Sequence, residues 1–600
     1  MTTVPQHAYP RPGRVRADWL DLNGEWDFAF DDADAGRAAR WNTGQGDFDR
    51  RIVVPYAYQS PESGIGDRTE HPVVWYRRRF EAPQAWRDRR ILLHFGAVDY
   101  AATVWVNGAF MGQHRGGYTP FAFDVTDALG DGENIVVVRV EDRPDIDQPR
   151  GKQRAKSENF GCWYTPVTGI WQTVWLEPLA DVHIAGHSLV THLDGRVEVE
   201  LELNRFEPGL ELEIRIARDG EAVATHKAAI TAADNRWVDP NRFADGRVAL
   251  TIPEPLLWSP EQPQLYDLTA EIRRGGDVVD RIGCPFGVRE ITVKDGRVHL
   301  NGRPYFLRMV LDQGFWPEGY TPADPEALAK DVAVMKAMGF NGVRKHQKIE
   351  APQFYAECDR QGLLVWEELP SPYAFTPQML VNAAAEWREA IERDRNHPSI
   401  MAWVPVNESW GFDPLGGKDA RAAQARHGLE FLYHLTKALD PTRLVISNDG
   451  WQQGTTDLIT IHEYTQDPAE LTARYQAFAG DMHAAAFSHK RPILLPATAY
   501  NGQPILVTEF GGCKVATQGE AGWGYGKAAA DFGEMVERIA SLVKAICAQE
   551  GVSGYCYTQL TDVEQEVNGL LYPDHKPKVP PDLLRKAFFG VDRGAGAPSR

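Results

Sequence analysis

The sequence predicts a multidomain chain: two N-terminal β-sandwiches over 1–180 and 181–288, then a (β/α)8 barrel over 289–600. Three observations predict it. Up to about residue 288 the apolar residues recur with period two, in short runs broken by Gly, Asp and Asn, as in antiparallel sheets with one buried face. Beyond about residue 300, strand-like apolar runs alternate with helical segments, which builds a parallel sheet. Those runs number eight, as many as close a barrel.

In chain order, the first part shows "EWDFAF", "VVWYRRRF", "ILLHFGAVDYAATVWVNG", "NIVVVRVED" and "WQTVWLEP", from about Trp26 to Pro178. The second alternates in "RVEVELELN", "LELEIRIAR" and "DLTAEIRR", with turn signals at spacings that suit an immunoglobulin-like sandwich. The helical segments of the third include "DPEALAKDVAVMKAMG", "APQFYAECDRQG", "AEWREAIERDRNHP", "RAAQARHGLEFLYHLTKALDP" and "DFGEMVERIASLVKAICAQEG". The strands between and around them are expected at Tyr305 to Met309, Gly342 to Arg344, Leu363 to Trp366, Met401 to Val406, Leu444 to Ser447, Leu458 to Ile461, Ile505 to Thr508 and Gly554 to Thr558.

Length and composition agree with this division. Six hundred residues with 43% hydrophobic content suit several domains with real cores. A formal charge of −19 argues against nucleic-acid binding, which needs a basic face. No apolar run approaches a membrane span, and "MTTVPQHAYPRPGRV" lacks the apolar core of a secretory signal. Six cysteines without CxxC pairs suit a reduced compartment, so a cytoplasmic location is expected. Neither "GWGYGK" nor "HEYTQ" completes a phosphate loop or a zinc helix, and no metal or organic cofactor is expected. The C-terminal "GAGAPSR" is expected to fray.

In such barrels the residues just past each strand face the active-site mouth. Two strands end in a carboxylate after a polar neighbour: "MAWVPVNESWG" in Asn407-Glu408, and "PILVTEFGG" in Thr508-Glu509. Arg344-Lys345-His346, Glu367-Glu368, Asn448-Asp449, His462-Glu463-Tyr464, Gln559 and Asp562 end other strands. A single Glu after a strand is more often a solvated loop residue or a helix-terminal charge. Two across one mouth are the minimal equipment for glycoside hydrolysis, in which one protonates the leaving oxygen and the other attacks the anomeric carbon or activates water.

The motifs and their order resemble glycoside hydrolase family 2, which includes β-galactosidases, β-glucuronidases and β-mannosidases. "VPVNESWG" resembles its acid/base motif and "ILVTEFGG" its nucleophile motif. "LNGEWDF", "VWYRRRF", "VWVNG", "GGYTPF" and "TGIWQTVWLE" resemble its jelly-roll sugar-binding-like domain. "LWSPEQPQLYDL" and "GVREI" resemble the end of its central sandwich, and "LNGRPYFLR" the entry to its barrel. The resemblance implies that Glu408 is the general acid/base and Glu509 the nucleophile of a retaining mechanism. It further implies that Asn407 binds the sugar 2-hydroxyl, and that Arg344 and Tyr464 attend the nucleophile.

Two features depart from the family pattern. Where many members have a Trp after the eighth strand, this chain has Tyr555-Cys556-Tyr557-Thr558-Gln559, with Tyr557 the candidate stacking ring. The Asn-x-Lys element of β-glucuronidases is not evident after Glu509, where Lys514 and Lys527 stand in another context. Asp312, Trp316, His346, Glu368, His462, Trp523 and Gln559 are further pocket candidates, with Trp163 and Tyr164 reaching over from the first domain. The expectation is a retaining exo-β-glycosidase of β-galactosidase type acting on a carbohydrate substrate, with a homo-oligomer among the states left open, as proteins with this domain order often form dimers or tetramers. Alternatives are a β-glucuronide, β-mannoside, arabinoside or galactofuranoside as substrate, transglycosylation, or a non-catalytic carbohydrate-binding protein.

Overall fold

The computed structural model describes residues 9–230, 247–321, 324–478, 492–496, 498–518 and 521–589. The terminal run 594–600 lies outside them. The first domain stacks a four-stranded sheet on a six-stranded one. Trp26, Phe28, Tyr76, Leu93, Phe95, Val104 and Val138 fill the space between them. In the second domain a three-stranded and a four-stranded sheet face each other. The alternation read from the sequence is literal there: in Arg196–Leu203, Val197, Val199, Leu201 and Leu203 are buried and the intervening glutamates are not, because successive strand side chains point to opposite faces.

A small three-stranded meander, Ile291–Lys294, Arg297–Leu300 and Arg303–Pro304, leads into the barrel. Its Ile291 and Val298 join Trp258, Leu307, Met309, Trp366, Met401 and Leu506 in one apolar cluster, which fills the barrel's interior at its floor. The barrel strands are β1 (Leu307–Asp312), β2 (Gly342–Lys345), β3 (Leu364–Glu368), β4 (Ile400–Val404), β5 (Leu444–Val445), β6 (Ile459–Glu463), β7 (Ile505–Phe510) and β8 (Val552–Tyr557). All observed pairings are parallel and run β5-β4-β3-β2-β1-β8-β7-β6. Side chains bridge the remaining seam between β5 and β6. Gln453 Nε2 donates to the Thr460 carbonyl at 2.7 Å, and the Gly450 amide to Thr460 Oγ1 at 2.9 Å.

Helices cover the outside, and their starts are written in the sequence. Asp324, Thr376, Asp419 and Asp531 each accept a backbone N–H at the start of Pro325–Ala337, Pro377–Asp394, Ala420–Leu439 and Phe532–Cys547, a cap worth about 1 kcal/mol. The first domain docks on this layer: its Tyr118, Val167 and Trp171 share the barrel's outer apolar cluster, and its Tyr118 amide donates to Glu386 at 2.8 Å. Among the described residues no helix is long and apolar enough to cross a membrane.

Candidate active site

Strict alternation along β7 places Ile505 and Val507 in the outer cluster and Leu506 in the barrel interior, so Glu509 is due to point outward. The pairing slips instead. Val507 faces Ile461 but Glu509 faces His462, and on the other edge Val507 and Phe510 face Tyr555 and Tyr557. Such an irregularity re-aims a side chain, and here it turns Glu509 into the mouth. Past β4 the backbone does the equivalent work, since Glu408 and Ser409 both adopt left-handed conformations (φ 51° and 57°). Each costs of order 1–3 kcal/mol and persists only where the surroundings enforce it. Here the Glu408 amide donates to the Asp449 carbonyl (3.0 Å) and the Ser409 amide to Asn448 Oδ1 (2.9 Å).

The two carboxylates meet around His462. Its Nδ1 lies 2.7 Å from Glu408 Oε1 and 3.4 Å from Glu509 Oε2, and its Nε2 lies 2.9 Å from Asp449 Oδ2. One oxygen of Glu408 and one of Glu509 lie within 4.8 Å of each other. Retaining glycosidases hold their carboxyl groups about 5–5.5 Å apart and inverting ones about 6.5–9.5 Å, so this spacing is of the retaining kind. The cleft beside Glu408 is aromatic. Trp410 Nε1 donates to Glu408 Oε2 (3.2 Å), and Trp163 meets the Trp410 ring edge-on at 5.0 Å.

Arg344, fully buried, organises the Glu509 side. It pairs with Glu368 (2.7 Å), Asp449 (2.7 Å) and Glu509 (3.4 Å), and donates to the Thr508 carbonyl (2.6 Å) and Asn407 Oδ1 (3.3 Å). Tyr464 donates its hydroxyl to Glu509 Oε2 at 2.5 Å. Burial and the Glu509 charge raise the Tyr464 phenol well above its ordinary value, so it remains a donor.

The Glu408 side is governed by ion pairing. Burial works against the charged form of His462, but the charges of Glu509 and Asp449 prevail and raise it to about 10. Burial likewise disfavours the Glu408 carboxylate, yet the hydrogen bond and charge of His462 prevail and lower it to about 2. At neutral pH the pair is therefore imidazolium and carboxylate, with a proton shared between Nδ1 and Oε1. Glu408, His462 and Glu509 have the spacing of a metal-ligand triad, but a cation there has to displace that proton.

Comparison with known proteins fits this geometry. Residues 20–148 match the sugar-binding domain, 182–289 the central domain and 291–521 the TIM barrel domain of glycosyl hydrolases family 2. The chain belongs to glycoside hydrolase family 2. A β-galactosidase of Thermoanaerobacter pseudethanolicus is 29% identical over 411 residues, 65% of this chain and 51% of that protein. One of Leuconostoc mesenteroides is 25% identical over 580 residues, 91% of this chain and 51% of that protein. This family 2 chain thus spans about half the length of the curated relatives it matches. In fold it resembles a Bifidobacterium dentium β-glucuronidase complexed with coumarin-3-O-glucuronide. That likeness has a TM-score of 0.80 at 23% identity, covering 97% of this chain and 99% of that one. A Ruminococcus gnavus β-glucuronidase in complex with D-glucuronic acid gives a TM-score of 0.77 at 19% identity, with the same coverage.

Of the residues singled out in this family 2 sequence, Glu408, Glu509, Asn407, Arg344, Tyr464 and His462 come together. Asn407 keeps Nδ2 without a partner among the described residues. His346 and Glu368 lie one layer behind. Glu368 accepts from Arg344 and Gln347 and pairs with His346 Nδ1 at 2.9 Å, so it orients Arg344, with its carboxyl offered to protein partners. Asp312 is neutralised by Lys345 at 2.6 Å, in a buried network with Glu350 and Lys348.

Three aromatic expectations change. Tyr557 is no sugar platform: alternation along β8 turns it outward, where it packs against Phe510 and Phe588 beneath Gly511. One face of Trp316 is covered by His575 at 3.5 Å, which makes it a loop anchor. Trp523 donates to the Gly161 carbonyl (2.8 Å) and meets Tyr525 edge-on, which ties its loop to the first domain at the rim. Gln559 is buried and donates to Asn568 at 2.8 Å, behind the mouth. Cys513 is buried, and burial pushes its thiol up, unlike an activated nucleophile.

Five residues at or beside the site had no role assigned from the sequence. Asp449 follows β5 and anchors both Arg344 and His462; its place at a strand end was the available signal. Trp410 stands two residues beyond Glu408. Tyr525 stacks on Tyr464 at 3.5 Å and lay unassigned in the "GWGYGK" loop. Lys152 and Glu566 come to the site from different domains, with Tyr164 bonded to Glu566 across the boundary, which no local pattern reveals.

Proposed function

We propose that this chain is a retaining exo-β-glycosidase that releases a terminal neutral sugar, of β-galactoside type, through a covalent glycosyl-enzyme. The observation that carries the reading is the pair of carboxylates within 4.8 Å, one held by Arg344 and Tyr464, the other by His462 and Trp410. In the first step Glu509 attacks the anomeric carbon, the bond to the leaving oxygen breaks, and Glu408 delivers a proton to that oxygen. The proton comes from the Glu408 and His462 pair, and the imidazole is left neutral with its Nε2–H on Asp449. In the second step Glu408 takes a proton from water, whose oxygen attacks the anomeric carbon and releases Glu509.

The exo mode is supported by a strap across the barrel. The first domain's 148–165 loop is tied to the barrel by Tyr164 Oη to Glu566 (2.5 Å) and Asn159 Nδ2 to Glu564 (2.6 Å), which favours a pocket over a through-groove. The β-galactoside assignment is supported by the names of the curated relatives and by the lack of an Asn-x-Lys element after Glu509; Lys514 is spent on the Ala521 and Gly522 carbonyls. Initial rates on p-nitrophenyl β-galactoside, β-glucuronide, β-mannoside, β-glucoside and the furanosides of arabinose and galactose test it. The β-galactoside is expected to dominate. Preference for another glycone overturns the sugar assignment, and inertness toward all of them overturns the reading.

A further inference from the structure

Lys152 is a cation at this mouth with no part in the double displacement. It belongs to the first domain, and its carbonyl accepts the Tyr164 amide at 2.8 Å, so it is fixed to the strap that crosses the barrel. Its Nζ lies 3.4 Å from Cys162 Sγ and 5.7 Å from the centre of the Trp163 ring. Among the described residues no carboxylate oxygen is within 4.0 Å of it; the basic side chains found in ion pairs do not include it. An ammonium has three donors, and a thiol is a weak acceptor for one of them. A partly buried lysine in this condition has donors to spare in the space in front of it.

That space belongs to the site. Trp163, under the ammonium, touches Trp410, which donates to Glu408. Tyr164, the next residue, donates to Glu566, which also accepts from Asn568 at 2.9 Å. Cys162, Glu408, Glu509 and Glu566 are the groups whose charges strengthen the hold of Lys152 on its proton against the effect of burial. The ammonium therefore stands within electrostatic reach of three carboxyl groups while pairing with none of them.

We propose that Lys152 is a specificity-determining residue that donates to a ring hydroxyl of a neutral glycone. A uronate is disfavoured because its carboxylate adds a further anion where Glu368, Glu408, Asp449 and Glu509 already outnumber the cations Arg344, His462 and Lys152. A hydroxyl fits, since it accepts from the ammonium and can donate onward to a carboxylate such as Glu566. The inference rests on the glycosidase reading and assigns a residue to its preference for neutral sugars.

The test compares wild type, Lys152→Met and Lys152→Arg. One arm measures kcat/KM on p-nitrophenyl β-galactoside and its 2-, 3-, 4- and 6-deoxy analogues. The other uses calorimetry of phenyl 1-thio-β-galactoside and phenyl 1-thio-β-glucuronide on the Glu509→Gln protein, with and without Lys152→Met. A hydrogen bond to a charged group predicts a loss of about 10- to 150-fold in Lys152→Met, partly restored by Lys152→Arg. The loss should vanish for the one deoxy analogue lacking the hydroxyl concerned. Thiogalactoside binding should weaken in parallel, and the thioglucuronide should bind worse than the thiogalactoside. An equal loss on every analogue means a structural role and overturns the proposal. So does uronide binding that depends on Lys152 while galactoside binding does not, or the absence of heat with either ligand. Lys152-dependent binding of the thiogalactoside to a protein whose wild type hydrolyses nothing sinks the glycosidase reading alone; hydrolysis indifferent to Lys152→Met sinks this inference alone.

Discussion

His462 Nδ1 sits 2.7 Å from Glu408 Oε1 while its Nε2 sits 2.9 Å from Asp449, so the proposed acid/base is bonded to an imidazole whose pKa the charges of Glu509 and Asp449 raise to about 10. The alkaline limb of the pH–rate profile reports loss of the last proton from this pair. Activity in the wild type should therefore persist well above neutrality. In His462→Asn the proton must reside on Glu408 alone, and the limb should move acidward by several pH units. An unmoved limb means that His462 does not hold the proton.

Gly450 makes this contact possible. Its φ is 79°, and a Cβ there falls 2.2 Å from the His462 ring, closer than any tolerated contact. Gly450→Ala should displace the imidazole and reproduce the acidward shift of His462→Asn, with activity down about 10- to 100-fold, the scale of lost acid–base assistance. A wild-type pH profile in this variant contradicts the assignment.

Tyr464 and Asn407 should separate in kinetics. Tyr464→Phe removes the donor to Glu509 and should lower kcat on every substrate. Asn407→Ala removes the unpartnered Nδ2 and should cost about tenfold or more on substrates with a 2-hydroxyl, the worth of one to two kcal/mol of hydrogen bonding. Its effect on 2-deoxy analogues should be small. Equal losses on both substrate types contradict the role given to Asn407.

Glu367 predicts a stability effect away from the chemistry. It is fully buried, and burial together with the Asp394 charge raises its carboxyl well above the ordinary value. The folded state thus binds more protons than the unfolded one above the unfolded pKa of about 4.3. From there stability falls as pH rises toward the folded pKa, by at most about 1.4 kcal/mol per pH unit. Glu367→Gln should remove this loss. Denaturation at pH 5 and pH 8 should show the variant's advantage growing with pH, and a constant difference contradicts it.

Much of the fold was legible because the sequence obeys two periods. The eight barrel strands were located to within a few residues, and the caps at Asp324, Thr376, Asp419 and Asp531 mark helix starts. Glu408 and Glu509 were legible as strand-end carboxylates, but not the means of aiming them: the left-handed turn at Glu408 and the register slip before Phe510 violate the alternation on which sequence reading depends. Tyr557 misled for the opposite reason, since it obeys alternation and so faces away from the mouth. Lys152 and Glu566 are brought to one site only through the docking of two domains, and Glu368 was recognisable as a site residue but not as the support of Arg344.

The central claim is that Glu509 is the nucleophile and Glu408 the acid/base of a double displacement. The most direct test is azide rescue, with product anomers assigned by NMR, on the best substrate of the glycoside panel. Azide should accelerate Glu408→Ala at least tenfold and yield the β-glycosyl azide, because it intercepts a glycosyl-enzyme left without its base. With Glu509→Ala it should yield the α-azide by direct displacement. No rescue of either variant, or the same anomer from both, contradicts the account.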